Sequence, residues 1–369
     1  MRNALAVAVL ALACAALLFA PSGVRLVDDG ARTVRAEVLE TDDAGVQLHG
    51  LVEFGTQRLK VRLPDGRVFA AANELRAQME LDKKFAAGDT ALVVLPPNAA
   101  PDDILVARDH WRLDWAFAFF AAFAALLCAF GGWTGTKALF SFLFGCLVVW
   151  KLMIPLVLAG WHASTVAFLA VAALTAVIMY LVAGWTRKGL AAFAGSMLGV
   201  VASLALAHFF GRVMNVNGAT MPFAQQLLYS GCPEIDLQDV FIGAIVLASS
   251  GAVMDLGMDI AAGVEEVHRH NPGLGFRPLV ASGFRIGRAV VGTMTTTLLL
   301  AYSGGYLTLL MVFSAQGTSP LDFLNSTLVS AELVKTLVGS FGLVLVAPFT
   351  ALAAAWIMRG KTSENKEES

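Results

Sequence analysis

Two carboxylates inside an apolar stretch are the side chains of this sequence best placed to do chemistry. Asp255 and Asp259 are four residues apart within residues 238–261, which are otherwise mostly apolar or small. If this stretch is a helix, both carboxylates project from one face, about one turn apart. Two like charges this close in a low dielectric do not both ionise comfortably, so they share a proton or hold a cation. The pair predicts a cation or proton site.

A structural explanation of the same pair stays open. Carboxylates near the cytoplasmic end of a helix can pair with arginines of the following segment, here Arg285 and Arg288. That explanation fits Asp259, which lies nearer the segment end, better than it fits Asp255. In either case the two arginines are the predicted counter-charges. Ser250 belongs to a small-residue surface that lets neighbouring helices approach closely, and we include it in the site.

A run of hydroxyl side chains forms the second polar feature. Residues 292–297 read Gly-Thr-Met-Thr-Thr-Thr within the next apolar segment. Such a run can line a polar path or coordinate a desolvated ion, or each hydroxyl can bond its own backbone. A Ser-Gly-Gly sequence at 303–305 is expected to break or kink this helix, and broken helices are where transporters place substrates. The predicted site hydroxyls of the run are Thr293, Thr295 and Thr296.

Other charged residues permit plainer explanations. Glu332 and Lys335 have the spacing of an internal ion pair, and Lys151 is either paired or extends its amine to the membrane surface. His268 and His270 could bind a metal only if carboxylates converge on them. A solvated loop is the simpler interpretation, so no metal site is predicted.

The composition is that of a membrane protein. Of 369 residues, 57% are hydrophobic and 15% charged, and the mean hydropathy is +0.69. Water-soluble domains carry about 25% charged residues. The net charge of -2 argues against a nucleic-acid partner, because phosphate binding needs a basic excess. The four cysteines show no Cys-x-x-Cys spacing, and three of them lie in apolar runs as small hydrophobic side chains.

The first part of the chain is expected to hold an anchor and a β-rich domain. Arg2 and an apolar run predict an uncleaved transmembrane anchor over residues 1–23; a cleaved signal peptide is the alternative. Residues 24–112 alternate apolar and polar side chains in short segments, which predicts four or five strands in a small barrel or sandwich outside the cytoplasm. The expected strands include residues 32–40, 57–63, 67–71 and 90–95.

Residues 113–358 are predicted to form a seven-helix transmembrane domain, since about 20 apolar residues cross a bilayer. With the anchor, the predicted fold class is an α-helical polytopic membrane protein of about eight transmembrane helices, with the β-rich domain between helices 1 and 2. Residues 221–230 are too short to span and are expected along the membrane interface, and residues 359–369 form a polar tail. The predicted spans are 115–131, 137–160, 163–184, 189–211, 238–261, 286–313 and 329–358.

The distribution of basic residues predicts the orientation. A cytoplasmic N-terminus places the C-terminus inside and the β-rich domain outside. Basic residues then concentrate in the cytoplasm, as the positive-inside rule requires, and Arg212 falls outside. The basic residues placed inside are Arg2, Lys137, Arg187, Lys188, Arg269, Arg277, Arg285, Arg288, Arg359, Lys361 and Lys366.

Several short motifs resemble the signature region of YibE/F-like membrane proteins. The β-rich domain is similar to that family too, at Gly-Thr-Gln (55–57) and Gln-Met-Glu-Leu-Asp (78–82). The resemblance implies a bacterial cytoplasmic membrane protein and carries no substrate over to this chain. The motifs are Gly-Ala-Val-Met-Asp at 251–255, Asn-Pro at 271–272, Ser-Gly-Phe-Arg-Ile-Gly-Arg at 282–288, Gly-Thr-Met-Thr at 292–295 and Leu-Leu-Leu-Ala-Tyr at 298–302.

By this resemblance the family's motif aspartate falls on Asp255 and its glycine–threonine stretch on residues 292–295. The family pattern has a serine where this chain has Asp259 and an asparagine where it has Thr297. The resemblance therefore favours Asp255 over the pair as the functional group.

Competing functions remain open at this point. A transporter or channel for a cation, a proton-coupled solute or another small solute would use the polar groups of the sixth and seventh helices. An envelope binding or assembly subunit would engage a protein partner through the β-rich domain. An intramembrane aspartyl protease needs a Gly-x-Gly-Asp element, which the sequence lacks, as it lacks other hydrolase and nucleotide motifs. No enzyme activity, catalytic residue or cofactor is predicted.

Overall fold

The computed structural model of the chain describes residues 2–20 and 30–359. The chain divides into two compact units. One comprises residues 25–130, and the other comprises residues 1–24 together with 131–369. The first unit carries a β-sheet, and the second is built from helices.

Alternating buried and exposed side chains run along the strands of the first unit, as in the buried–exposed pattern of Val68–Arg76. All the expected strands are present. Two further short strands, Val46–His49 and Ile104–His110, were not predicted. The strands are β1 (Arg32–Asp42), β2 (Val46–His49), β3 (Val52–Arg62), β4 (Val68–Arg76), β5 (Thr90–Leu95) and β6 (Ile104–His110).

The sheet closes into a barrel, one of the two predicted architectures. Its strand order is β1-β5-β6-β4-β3-β2, and an additional pairing of β1 with β3 joins the ends. An irregularity in register between Val38 and Glu40 lets β1 pair with β5 along its first half and with β3 along its second. This order, with β4 and β6 parallel, is that of an OB-type barrel.

Gln57 lies inside the barrel with no exposed surface. Its Oε1 accepts hydrogen bonds from the Phe85 backbone N–H at 3.0 Å and from Asn73 Nδ2 at 3.1 Å. Its Nε2 donates to the Phe85 carbonyl at 2.9 Å and to Asp43 Oδ1 at 2.8 Å. All four hydrogen-bonding positions of the amide are used, so Gln57 ties β3 to β4 and to the chain before β5.

The second unit begins with a helix at the N-terminus and continues after the barrel. A π-helical segment, Val148–Met153, joins α2 to α3. The helices are α1 (Arg2–Phe19), α2 (Leu113–Leu147), α3 (Ile154–Leu158), α4 (Ala163–Ala183), α5 (Arg187–Val213), α6 (Ala224–Tyr229), α7 (Leu237–His270), α8 (Phe276–Gly305), α9 (Leu307–Ala315), α10 (Pro320–Asn325) and α11 (Thr327–Met358).

Small residues let α5, α7, α8 and α11 pack closely around one apolar core. A Cβ added to Gly257 of α7 would collide with Ser196 of α5. A Cβ added to Gly283 of α8 would lie only 2.6 Å from the Ala351 Cβ of α11. The small-residue surface predicted for α7 is therefore one side of the core.

The structure supports the predicted membrane spans in part. In the described residues, five helices are long and apolar enough to cross a membrane, and a sixth arises if α8 and α9 count as one bent span. The chain is thus a helical membrane protein, but the count of about eight is not confirmed. The boundary predicted after residue 131 coincides with a kink at which two helices meet, so residues 113–158 are two helical segments rather than one straight helix. A single residue, Gly132, departs from helical geometry there, with φ 52° and ψ −127°.

The α8–α9 break, the short helix α6 and the two ends of the chain were also predicted. α8 and α9 are bent by 65° at Tyr306, which confirms the break expected at 303–305. α6 has six residues, as expected of a segment too short to span. Of the predicted anchor and polar tail, α1 and Arg359 are described, and the rest of the tail lies outside the described residues.

Candidate functional site

α7 carries Asp255 and Asp259 on the same side of the helix, as their spacing predicted. The next residues, Leu256 and Ile260, are fully buried, whereas both carboxylates lie on an exposed side that the chain itself does not cover. A rise of 1.5 Å per residue sets the two carboxylates about 6 Å apart along the axis. Within the described part of the chain, neither one has a hydrogen-bond or ion-pair partner.

The predicted counter-charges lie on α8, beside α7. Gly287, next to Arg288, lies against Ile260, next to Asp259, so these two charged residues sit at the same level of the helix pair. Among the described residues, no ion pair joins Arg285 or Arg288 to either aspartate. The structure thus brings the four charges to the same part of α7 and α8 but does not pair them within the chain.

A groove of about 710 Å³ opens beside the two arginines at the junction of α7 and α8. Arg285, Arg288, Ser282 and Asn271 line it together with apolar side chains. Arg285 Nη2 donates to Ser282 Oγ at 3.3 Å, which holds the guanidinium at the wall of the groove. The arginines therefore face an open space that water or an anionic group can enter.

The predicted site hydroxyls donate to their own backbone. Thr293, Thr295 and Thr296 each donate to a carbonyl three or four residues earlier on α8, at 2.8–3.2 Å. Ser250 Oγ donates in the same way to the Leu247 carbonyl at 2.8 Å. Donation uses only the proton, so each oxygen keeps lone pairs that could coordinate a cation. The structure does not gather these hydroxyls around the aspartates.

A cleft of about 1000 Å³ lies between α2, α4 and α7. Ser250 and Gly251 of α7 line it, and most of the remaining lining is apolar. Lys137 also lines the cleft, and its Nζ donates to the Leu181 carbonyl at 3.2 Å. Asp255 follows Gly251 by one helical turn, but it does not line the cleft.

A second charged cluster lies between α8 and α11. Lys335 Nζ lies 3.0 Å from both carboxylate oxygens of Glu332, so the ion pair expected from their spacing is present. The ammonium also lies 6.0 Å from the centre of the Tyr302 ring. The Tyr302 hydroxyl is buried and has no hydrogen-bond partner in the described structure. The sequence offered the Glu–Lys spacing, but the approach of Tyr302 depends on packing between helices.

Lys151 lies in the π-helical segment that follows α2. Its Nζ donates to the Ala20 carbonyl at 3.3 Å, just past the end of α1, and lies 5.0 Å from the centre of the Trp150 ring. Lys151 was predicted either to be paired or to extend its amine to the membrane surface. The structure shows its amine hydrogen-bonded to a backbone carbonyl of the chain.

The glutamates before the His-x-His sequence form ion pairs. Lys188 Nζ lies 3.0 Å from Glu265, and Arg269 lies 2.6 Å from Glu266. In residues 2–20 and 30–359, no three His, Cys, Asp or Glu side chains converge as a metal site would require.

Comparison with known proteins gives one match. A family model described as YibE/F-like protein matches residues 119–360, which include α4 to α11 and every predicted site residue. The barrel lies outside the matched residues. No curated protein and no solved structure matches the chain.

Proposed function

The chain belongs to the YibE/F-like protein family, and from this premise we propose that it is a membrane transporter or channel for a cation, a proton-coupled solute or another small solute. One observation carries the proposal. α7 is long and apolar enough to cross a membrane, yet it holds Asp255 and Asp259 on one side with no ion-pair partner among the described residues. Ionisable groups inside a bilayer cost on the order of 2.5–3.5 kcal/mol each and commonly mark ion or substrate pathways.

The two carboxylates act as one binding site in this proposal. One turn apart in a low dielectric, they repel each other when both are ionised. A cation between their oxygens, or a proton on one of them, removes that repulsion. The loaded and empty sites therefore differ in charge, and this difference couples occupancy to the conformation of the surrounding helices.

The neighbouring polar groups have supporting roles. Hydroxyl oxygens of Ser250, Thr293, Thr295 and Thr296 keep free lone pairs for a passing cation, although the chain does not gather them around the aspartates. Arg285 and Arg288 stabilise the empty, doubly ionised pair, which makes release of the cation possible. The small-residue packing of α7 against α5 gives the carrying helix a rigid support on its other side.

The orientation and location follow from the same proposal. The basic residues assign both termini to the cytoplasm and the barrel to the outside of a bacterial cytoplasmic membrane. Transport of this kind needs no covalent chemistry, and we propose that the chain is neither an enzyme nor dependent on a cofactor.

Flux measurements in proteoliposomes test the proposal. Wild-type protein is expected to pass protons or one of a panel of monovalent and divalent cations, and Asp255→Asn is expected to reduce that flux at least about tenfold. Asp102→Asn, a matched change at an exposed position of the barrel unit, should leave it unchanged. Equal flux in wild type and Asp255→Asn, with both folded, would reject Asp255 as the site.

An envelope binding or assembly subunit is the alternative, and one feature of the barrel favours it. Leu48, Leu51 and Phe54, in the β2–β3 hairpin, are 71%, 90% and 55% exposed. Apolar clusters on a domain in water often mark protein contacts. In this alternative, Leu48→Ser with Leu51→Ser abolishes function in cells while Asp255→Asn is tolerated. The opposite result would support transport.

A further inference from the structure

α7 and α8 each carry a polar side that the rest of the helical unit leaves exposed, and at Gly251 this side also borders the cleft between α2, α4 and α7. We call these two sides together the polar face. Each of its residues is exposed, and neither of its two glycines has any atom within 4 Å of the position a Cβ would take. The polar face consists of Gly251, Asp255, Asp259, Arg285, Arg288, Gly292, Thr293 and Thr296.

Burying such a face in lipid is energetically unfavourable. Lipid tails offer no hydrogen bonds to carboxylates or guanidinium groups, so charged side chains in spanning helices face protein or water. The first two predicted spans supply no charge that neutralises it. Residues 4–20 and 115–131 contain no ionisable side chain apart from a cysteine in each. Lys137 and Lys151 already donate to the carbonyls of Leu181 and Ala20.

The depth of the charges along the α7–α8 pair indicates which partner covers the polar face. The contact of Ile260 with Gly287 places Asp259 and Arg288 at one level of the α7–α8 pair. In a membrane, copies of a chain inserted with the same orientation are related by rotation about the membrane normal, and this rotation preserves depth. The acidic side of one copy therefore meets the basic side of another copy at the same depth.

We propose that a second copy of this chain covers the polar face, so that Asp255 and Asp259 of one copy lie against Arg285 and Arg288 of the other. The arrangement is complementary in charge, and each copy contributes both signs, as an isologous interface requires. The open space at Gly251 and Gly292 lets the helices approach closely.

This inference rests on the proposed function and deepens it. A single copy holds the carboxylates without a partner, whereas two copies supply the counter-charges and hydroxyls of α8 to the aspartates of α7. The cation or proton site is then completed between copies.

Association in lipid vesicles tests the inference without measuring transport. Donor- and acceptor-labelled full-length chains are co-reconstituted, and energy transfer is recorded as the lipid-to-protein ratio rises. Wild type should associate. Asp259→Lys and Arg288→Glu should each weaken association about 30-fold or more, because each places like charges together, and the double variant should restore it. Arg212→Glu, at the other end of α5, is the control and should associate like wild type.

A cross-linking experiment keeps the test decisive if a charge reversal fails to fold. One population carries Asp259→Cys and the other Arg288→Cys, in chains whose four native cysteines are replaced by alanine. Because each chain has one cysteine, a disulfide between the two kinds of chain forms only across copies. It should form under mild oxidation, and the pair Leu198→Cys with Arg288→Cys should not cross-link, since Leu198 is exposed on α5.

The outcomes separate this inference from the proposed function. If wild-type protein stays monomeric in vesicles, the inference of a second copy is rejected, even if the protein conducts ions. The inference is also rejected if neither charge reversal weakens association and no disulfide forms between the cysteines introduced at positions 259 and 288. Association through this face with no flux of any ion keeps the inference and rejects transport.

Discussion

Gly287 of α8 lies against Ile260 of α7 and Ala347 of α11. A Cβ added to this glycine would be 3.3 Å from Ile260 Cδ1 and 3.0 Å from the Ala347 Cβ. The missing side chain is what lets three helices meet at this point. The contact also sets the level of Asp259 relative to Arg288, so the geometry of the candidate site depends on it.

A larger side chain at this position should loosen the helical unit. Gly287→Val would force α8 away from α7 and α11, and overpacking of this kind costs about 1–3 kcal/mol. We expect a lower thermal unfolding midpoint in detergent, followed by tryptophan fluorescence. Gly304→Ala is the control, because nothing lies within 4 Å of its Cβ position. A Gly287→Val midpoint equal to that of wild type would contradict the packing described.

The Glu332–Lys335 pair should behave as a coupled unit. Lys335→Met leaves the half-buried carboxylate of Glu332 without its partner and should destabilise the protein by about 1–3 kcal/mol. Glu332→Gln combined with Lys335→Met should cost less than the sum of the two single changes. A double-mutant cycle on thermal unfolding measures this coupling. Additive effects would show that the two side chains do not interact.

The buried amide of Gln57 should hold the barrel together. Gln57→Leu removes four hydrogen bonds and leaves the Phe85 backbone groups without their partner, while Asn73 keeps only its bond to the Lys83 carbonyl, at a cost of about 2–4 kcal/mol. Hydrogen–deuterium exchange of β3 and β4 in the full-length chain should become faster. Gln47→Leu, at an exposed position of β2, should leave exchange unchanged. Unchanged protection in Gln57→Leu would refute the structural role.

Acid should weaken the same part of the barrel. The hydrogen bond from Gln57, followed by the interaction with Lys84, lowers the pKa of Asp43 below its ordinary value. The folded state then binds fewer protons than the unfolded state, so this contribution to stability is present above about pH 4 and is lost as the pH falls through the lowered pKa. Exchange protection near Asp43 should fall over that range, and less so in Asp43→Asn. An equal fall in both proteins would contradict this assignment.

The two strands that the sequence analysis missed were missed for different reasons. β1 and β5 alternate clearly, and their bounds were expected to within two residues. β2 has four residues that are exposed or only half-buried, so it carries no alternation that a sequence pattern could detect. β6 begins with four apolar residues in a row, so its sequence shows no apolar–polar alternation, and its parallel partner β4 is distant in sequence.

The helical unit shows a similar limit. The Ser-Gly-Gly sequence at 303–305 correctly predicted a break before α9, and the glycine at 132 forms a kink at the boundary predicted between two spans. The spacing of Asp255 and Asp259 was enough to place both carboxylates on one side of α7. Spacing could not show that Arg285 and Arg288 of the same chain form no ion pair with these aspartates, because helix periodicity does not determine how side chains of neighbouring helices pair.

In the proposed function, Asp255 binds the cation or proton that is transported. Measuring charge displacement on a solid-supported membrane tests this role most directly. Proteoliposomes of wild type, Asp255→Glu and Asp255→Asn are each exposed to a rapid jump in pH or in cation concentration. We predict a transient current in wild type, a smaller or slower one in Asp255→Glu, and none in Asp255→Asn. A current of equal size in wild type and Asp255→Asn would contradict the claim.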